Sequence, residues 1–271
     1  MRNENMQKFQ KIFEVSLQNR FEYRLNSFLW MVYSFIPILA SMALWSAVYS
    51  VQNNNNLSYS KNDMMTYYFI VMIVSNLMKA GYDYYGVAND IKNGGINPYL
   101  VRPYDFMKYK FIYSLSENVL FIVIGFVPIV IIGVLFRNMI AINVDIIDIV
   151  FWIIAIVIGY VINFLCLFIM SICAFFMNSI NSLFMTLDIL KSIVSGQLFP
   201  LMVLPASIYN VLKYSPFQYM LYYPVCILQG NYTNNEMLLF TVIGMMWSIV
   251  LFAIARLVWR KGLSSYSAFG G

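Results

Sequence analysis

The 271-residue sequence contains no histidine, and only 11% of its residues are charged. Without histidine the chain lacks the commonest general base and the commonest metal ligand. The shortage of charge excludes more, because a soluble domain carries about 25% Asp, Glu, Lys and Arg to cover its water-facing surface. Cysteine is scarce too. Cys166, Cys173 and Cys226 stand among apolar or aromatic neighbours in sequence, none at metal-ligand spacing from another, and they read as small core hydrophobes. Also missing are a P-loop ending in Gly-Lys-Ser or Gly-Lys-Thr, a His-Glu-x-x-His helix and a Gly-x-Ser-x-Gly nucleophile elbow. The chain therefore has no P-loop route to ATP and no convergent acid, base or metal set that an embedded enzyme would need.

What the sequence has in abundance is apolar surface: 61% of residues are hydrophobic and 18% aromatic. A helix crossing a hydrocarbon layer of about 30 Å needs about 20 mostly apolar residues. Such runs predict an all-α integral membrane protein with six transmembrane helices, at 28–50, 64–80, 111–136, 149–176, 182–200 and 237–258. The first 27 residues are polar and mixed in charge, which predicts no cleavable signal peptide. Within them Met6, Phe9, Phe13, Leu17 and Phe21 recur at steps of three or four, the pattern of an amphipathic helix lying in the membrane interface.

An even number of spans puts both termini on one side. Arg2, Lys8, Lys11, Arg20 and Arg24 precede the first span, and Lys79, Lys92, Arg102, Lys108 and Lys110 lie between the second and third. Arg256, Arg260 and Lys261 close the last. Only Lys61 and Arg137 fall in the opposite loops, so the positive-inside rule predicts cytoplasmic termini. The net charge of +5 then reports topology and contact with anionic lipid, and nucleic acid is not an expected partner.

Two regions are not simple spans. Residues 201–230, together with the preceding Gly196 to Pro200, hold Pro200, Pro205, Pro216 and Pro224 in an otherwise apolar stretch. Each proline removes a backbone donor and disfavours helix just before it, which predicts a re-entrant hairpin of short helices before the last span. The second region, 81–110, reads NDIKNGGINPYLVRPYDFMKYK over most of its length. A short helix over Tyr82 to Lys92 is expected there, ended by Gly94 and Gly95 and re-aimed at Pro98 and Pro103. Glu117, Asp188 and Lys191 lie within spans, where a charge costs about 2.5 to 3.5 kcal/mol at mid-helix on insertion scales. Asp188 and Lys191, three residues apart, can neutralise one another.

These residues resemble the type-2 ATP-binding-cassette exporter permeases, particularly a branch of six-span and often paired subunits. The loop DIKNGGINPYLVRPYDFMKYKF is similar to the family's loop after the second span, with Leu100, Val101, Arg102 and Pro103 in place of its Leu-Leu-x-x-Pro element. The segment from Gly196 to Gly230 is similar to the family's hairpin before the last span, and Arg24, Asn26, Trp45 and the ending GLSSYSAFGG also fit. Where many members carry Glu-x-Gly-Thr-Leu-Glu, this chain has Asp90, Lys92, Asn93, Gly94, Gly95 and Asn97. The resemblance implies a permease subunit in a bacterial plasma membrane, a second permease as homodimer or paralogous heterodimer, and a separate P-loop ATPase that binds Mg-ATP. It also implies that Asp90, Ile91, Lys92, Asn93, Gly94, Gly95, Leu100, Arg102 and Pro103 form a coupling helix and its exit, docking on that ATPase. The alternative from the residues alone is a scaffold or immunity protein that binds a ligand at the outer face without transporting it.

Overall fold

The computed structural model describes residues 10–18, 22, 24–51, 60–79, 84–102, 105–142, 144–177 and 181–266, and every regular element among them is helical. Helix α1 (10–18) is followed by α2 (Arg24–Val51), α3 (Lys61–Leu77), α4 (Tyr84–Asn93), α5 (Asn97–Leu100) and α6 (Phe106–Leu135). Then come α7 (Ile146–Ile172), α8 (Asn181–Val194), α9 (Ala206–Leu212), α10 (Tyr222–Leu228) and α11 (Asn234–Ser265). Among the described residues four stretches are long and apolar enough to cross a membrane: Val32–Ser50 within α2, Phe106–Leu135, Ile146–Phe175 and Asn234–Ser265. The other two expected spans are shorter, 17 residues in α3 and 14 in α8. At 1.5 Å per residue these reach only about 25 and 21 Å. Helix α8 stops at Val194 instead of running to 200, because Gly196 takes a positive φ of 86° and turns the chain. Of the expected N-terminal stripe, Phe13 and Leu17 are half-buried on α1, while Met6, Phe9 and Phe21 lie outside the described residues.

Acidic caps fix where several helices begin. The Ser60 hydroxyl accepts the Asp63 N–H at 3.2 Å, and the Asp63 carboxylate accepts the Ser60 N–H at 3.1 Å. Thr233 and Glu236 repeat this box at the start of α11, and the Asp148 carboxylate accepts the Asp145 N–H at 2.9 Å at the start of α7. Each carboxylate also faces the positive end of its helix dipole.

Long-range contacts sort the helix termini into two ends of the bundle. At one, the Gln229 amide donates to the Asp63 carbonyl at 3.0 Å and the Tyr223 hydroxyl to the Met237 carbonyl at 2.7 Å. The Ala141 N–H reaching Thr66 Oγ1 at 3.1 Å brings the exit of α6 there as well. At the other end Phe106 stacks on Trp259 at 5.0 Å, and Phe175 meets Trp259 edge-on at 5.7 Å. This joins the start of α6, the end of α7 and the end of α11. The second end therefore carries Lys92, Arg102, Lys108, Lys110, Arg256, Arg260 and Lys261, and the first carries Lys61 and Arg137.

Between Ser195 and Thr233 no element is longer than seven residues. The prolines set the starts: Pro200 and Pro205 immediately precede a 3-10 turn and α9, Pro216 opens a second 3-10 turn, and Pro224 sits in the first turn of α10. Irregular backbone in such an apolar setting needs donors for its carbonyls, and neighbouring helices supply them. Tyr67 and Tyr68 donate to the carbonyls of Gly196 and Leu198, each at 2.6 Å, and Trp247 donates to Tyr214 at 2.9 Å. Helix α7 closes against this segment through Gly159, where a Cβ would overlap the Tyr219 carbonyl oxygen and Met78 Cε. Gly159→Ala is expected to cost about 1–3 kcal/mol, measured as a lower midpoint of thermal unfolding in detergent.

Candidate functional site

Two places gather the residues that the sequence singles out. The first is the 84–105 segment at the basic end. Val87, Ala88 and Ile91 bury one face of α4 against α7 and the turn Cys173–Phe175, and Tyr85 meets Phe184 edge-on at 4.8 Å. Gly94, at φ 78°, ends the helix, and Ile96 returns to the core. Gly95 passes so close to Asp90 that a Cβ would sit 2.8 Å from its Oδ1. Asn93, Gly95, Leu100, Val101 and Arg102 face outward, with Val101 84% exposed, while Asp90 and Lys92 are half-buried. Pro103 lies outside the described residues.

Aromatic contacts hold this segment as one piece. Tyr99 packs on Phe106 at 5.6 Å and on Tyr109 at 5.4 Å, and the Lys110 ammonium lies within 6 Å of the rings of Tyr99, Phe106, Tyr109 and Tyr113. The Tyr266 hydroxyl donates to Asn97 Oδ1 at 2.9 Å. Asp105 caps α6, accepting the Lys108 N–H at 2.9 Å, and pairs with Arg256 of α11. Burial pushes the Asp105 carboxyl up, but the bonds from Arg256 and Lys108 and their charges prevail, so its pKa lies below the usual carboxylate value. A carboxyl held low in the folded state stabilises the fold above its unfolded pKa of about 3.9 and loses that contribution as the pH falls through the folded value. Thermal scans in detergent should thus show Asp105→Asn less stable than the native chain at pH 7, with the difference shrinking as the pH falls through the lowered folded pKa.

The second place is the end of α3, which stops beside α6 and α7 in the apolar part of the bundle. Helix C-termini leave carbonyls without helical partners, and here side-chain amides take them. Asn118 Nδ2 donates to the carbonyls of Leu77 at 3.0 Å and Lys79 at 2.8 Å, and Asn163 Nδ2 donates to Met78 at 2.9 Å. Asn76 Nδ2 in turn reaches the Phe121 carbonyl at 3.2 Å. Lys191 of α8 then donates to Asn163 Oδ1 at 2.6 Å, so its ammonium is held by another helix as well as standing three residues from Asp188. Cations at this point also favour the negative end of the α3 dipole.

Around these groups lies a cavity of about 250 Å³, bordered by Ser34, Lys79, Asn163, Asp188, Lys191 and Gln197. It brings together two of the three charged residues picked out within spans. Glu117 is buried on α6 beside Asn118 and is not part of this lining. Pro200, Pro205, Pro216 and Pro224 shape the hairpin without bordering the cavity, although Met220 and Leu221 of that segment do. Among the described residues no group of three His, Cys, Asp or Glu side chains is placed to hold a metal ion. Asn76, Asn118 and Asn163 are missed by a search for ionisable groups, and their signal is an amide side chain inside an apolar run.

The all-helical bundle with membrane-length helices defines an integral membrane protein. The family described as ABC-2 family transporter protein matches residues 35–270, and the chain belongs to that family of membrane transport components. No curated protein and no solved structure matches it.

Proposed function

We propose that the chain is the permease subunit of an ATP-driven exporter, and that it forms the translocation path while a separate P-loop ATPase binds Mg-ATP. It works in the plasma membrane with a second permease, identical or paralogous, with six spans and both termini in the cytoplasm. The observation that carries this reading is α4, whose inner face is buried on α7 while the adjoining tip at Leu100, Val101 and Arg102 is exposed at the basic end. Such a tip presents apolar and cationic groups to a partner without unfolding anything to do so.

Closure of the ATPase would push on this tip. Because Tyr99 is packed on Phe106, Tyr266 holds Asn97 and Asp105 holds Arg256, the push passes into α6 and α11, and through Ile91 into α7. The cavity at Lys191, Asn163 and Lys79 supplies polar surface for the path. Asp90, Ile91, Lys92, Asn93, Gly94 and Gly95 shape the coupling element, and Leu100, Arg102 and Pro103 form its exit. Purification from native membranes should bring down a P-loop ATPase, and vesicles holding the pair should move cargo only with Mg-ATP. Ligand binding at the outer face with no ATP-dependent movement would favour the scaffold instead.

A further inference from the structure

A cavity of about 470 Å³ runs along the bundle between α6, α7 and α11, and at Arg256 it adjoins the first of the two places described above. Its walls include Phe111 of α6, Val161 of α7, and Ile249 and Phe252 of α11, and the charged residues on its lining are Lys108 and Arg256. Lys108 belongs to the first turn of α6 and Arg256 to the last turns of α11, so both cations stand at the basic end. From Arg256 to Ile249 the slot climbs about 10 Å along α11 toward the middle of the bundle. Lys108 is exposed, and the Arg256 guanidinium lies 5.1 Å from the Phe252 ring, over the apolar wall. Asp105 answers one of these two charges, which leaves the mouth with an excess of positive charge, and Arg260 follows one turn beyond.

An apolar slot opening on cations has the shape of an amphiphile. A soluble anion would leave the apolar walls unused, and a neutral hydrocarbon would leave the cations unused. We propose that this cavity binds an anionic phospholipid from the leaflet at the basic end, its phosphate on Lys108 and Arg256 and one acyl chain in the slot. The bound lipid braces the junction of Asp105 and Arg256, where the 84–105 segment enters α6. The site rests on the membrane location of the chain and not on its coupling to an ATPase.

Native mass spectrometry of the full chain in neutral detergent, titrated with dioleoyl phosphatidylglycerol or dioleoyl phosphatidylcholine, tests the site. Phosphatidylglycerol should bind at least about fivefold tighter, and Lys108→Gln should remove about fivefold of that affinity while weakening choline-lipid binding less, since each basic residue near the surface is worth about 1 kcal/mol and the choline cation already offsets its phosphate. Lys108 is exposed, so the variant should fold. Ile249→Trp, at a position 69% exposed, should fill the slot and weaken both lipids. Equal affinity for the two lipids, an unchanged preference in Lys108→Gln, or unchanged phosphatidylglycerol binding in Ile249→Trp would overturn the proposal.

Discussion

Replacing Leu100 and Val101 together by Asp is expected to reduce ATP-driven transport by at least about 30-fold while the permease still folds. Truncating a single anchor that docks in a partner's groove commonly costs 2 kcal/mol or more, about a factor of 30 in affinity. Val101 is 84% exposed and Leu100 39%, so a charge there meets solvent and not the core. The contrast with Ile91→Asp makes the test selective. Ile91 is 3% exposed in the cluster that joins α4 to α7, and a carboxylate at that depth should lower the yield of folded protein instead of uncoupling it. Transport per folded molecule, with thermal stability as the control, separates the two outcomes. A Leu100→Asp/Val101→Asp variant with native transport would remove the tip from the mechanism.

Asn163→Leu is the second substitution with a large expected effect, this time on stability. It takes the donor from the Met78 carbonyl and the Asn163 acceptor from the Lys191 ammonium in one step. Removing one partner from a buried charge typically costs 3–5 kcal/mol, whereas replacing charge and partner by apolar groups of similar volume is often neutral. At about 2–4 °C per kcal/mol for a chain of this size, the single variant should melt at least about 6 °C lower. Adding Lys191→Met should recover half or more of that loss. Strictly additive losses in the double variant would show that the amide and the ammonium do not act as a unit.

The long apolar helices were legible because an unbroken apolar run of 25 to 30 residues has few alternatives, but their ends were not: α6 begins at Phe106 against an expected 111, and α11 runs to Ser265 against an expected 258. Helix α3 begins at Lys61 and not Met64, although its Ser60 and Asp63 capping box was there to be read. Helix α4 ends at Asn93 against an expectation of Lys92, since Gly94 offers the positive φ that ends it, while the expected start at Tyr82 lies outside the described residues. The short helices of the proline-rich segment followed from proline chemistry, but their tyrosine and tryptophan donors did not, because Tyr67 and Gly196 are 129 residues apart. Local spacing pointed Lys191 at Asp188, whose charge does act on it, but gave no sign of the hydrogen bond to Asn163 on another helix. Pairings between helices leave little trace in one sequence, and asparagine, being uncharged, escapes a search for costly ions.

Photo-crosslinking from position 101 tests the central claim most directly. With a benzophenone amino acid in place of Val101, illumination of native membranes should join the chain to a P-loop ATPase, while the same probe at Val123, an outward apolar position on α6, should label lipid. No ATPase adduct from position 101, in a chain that still transports, would contradict the account.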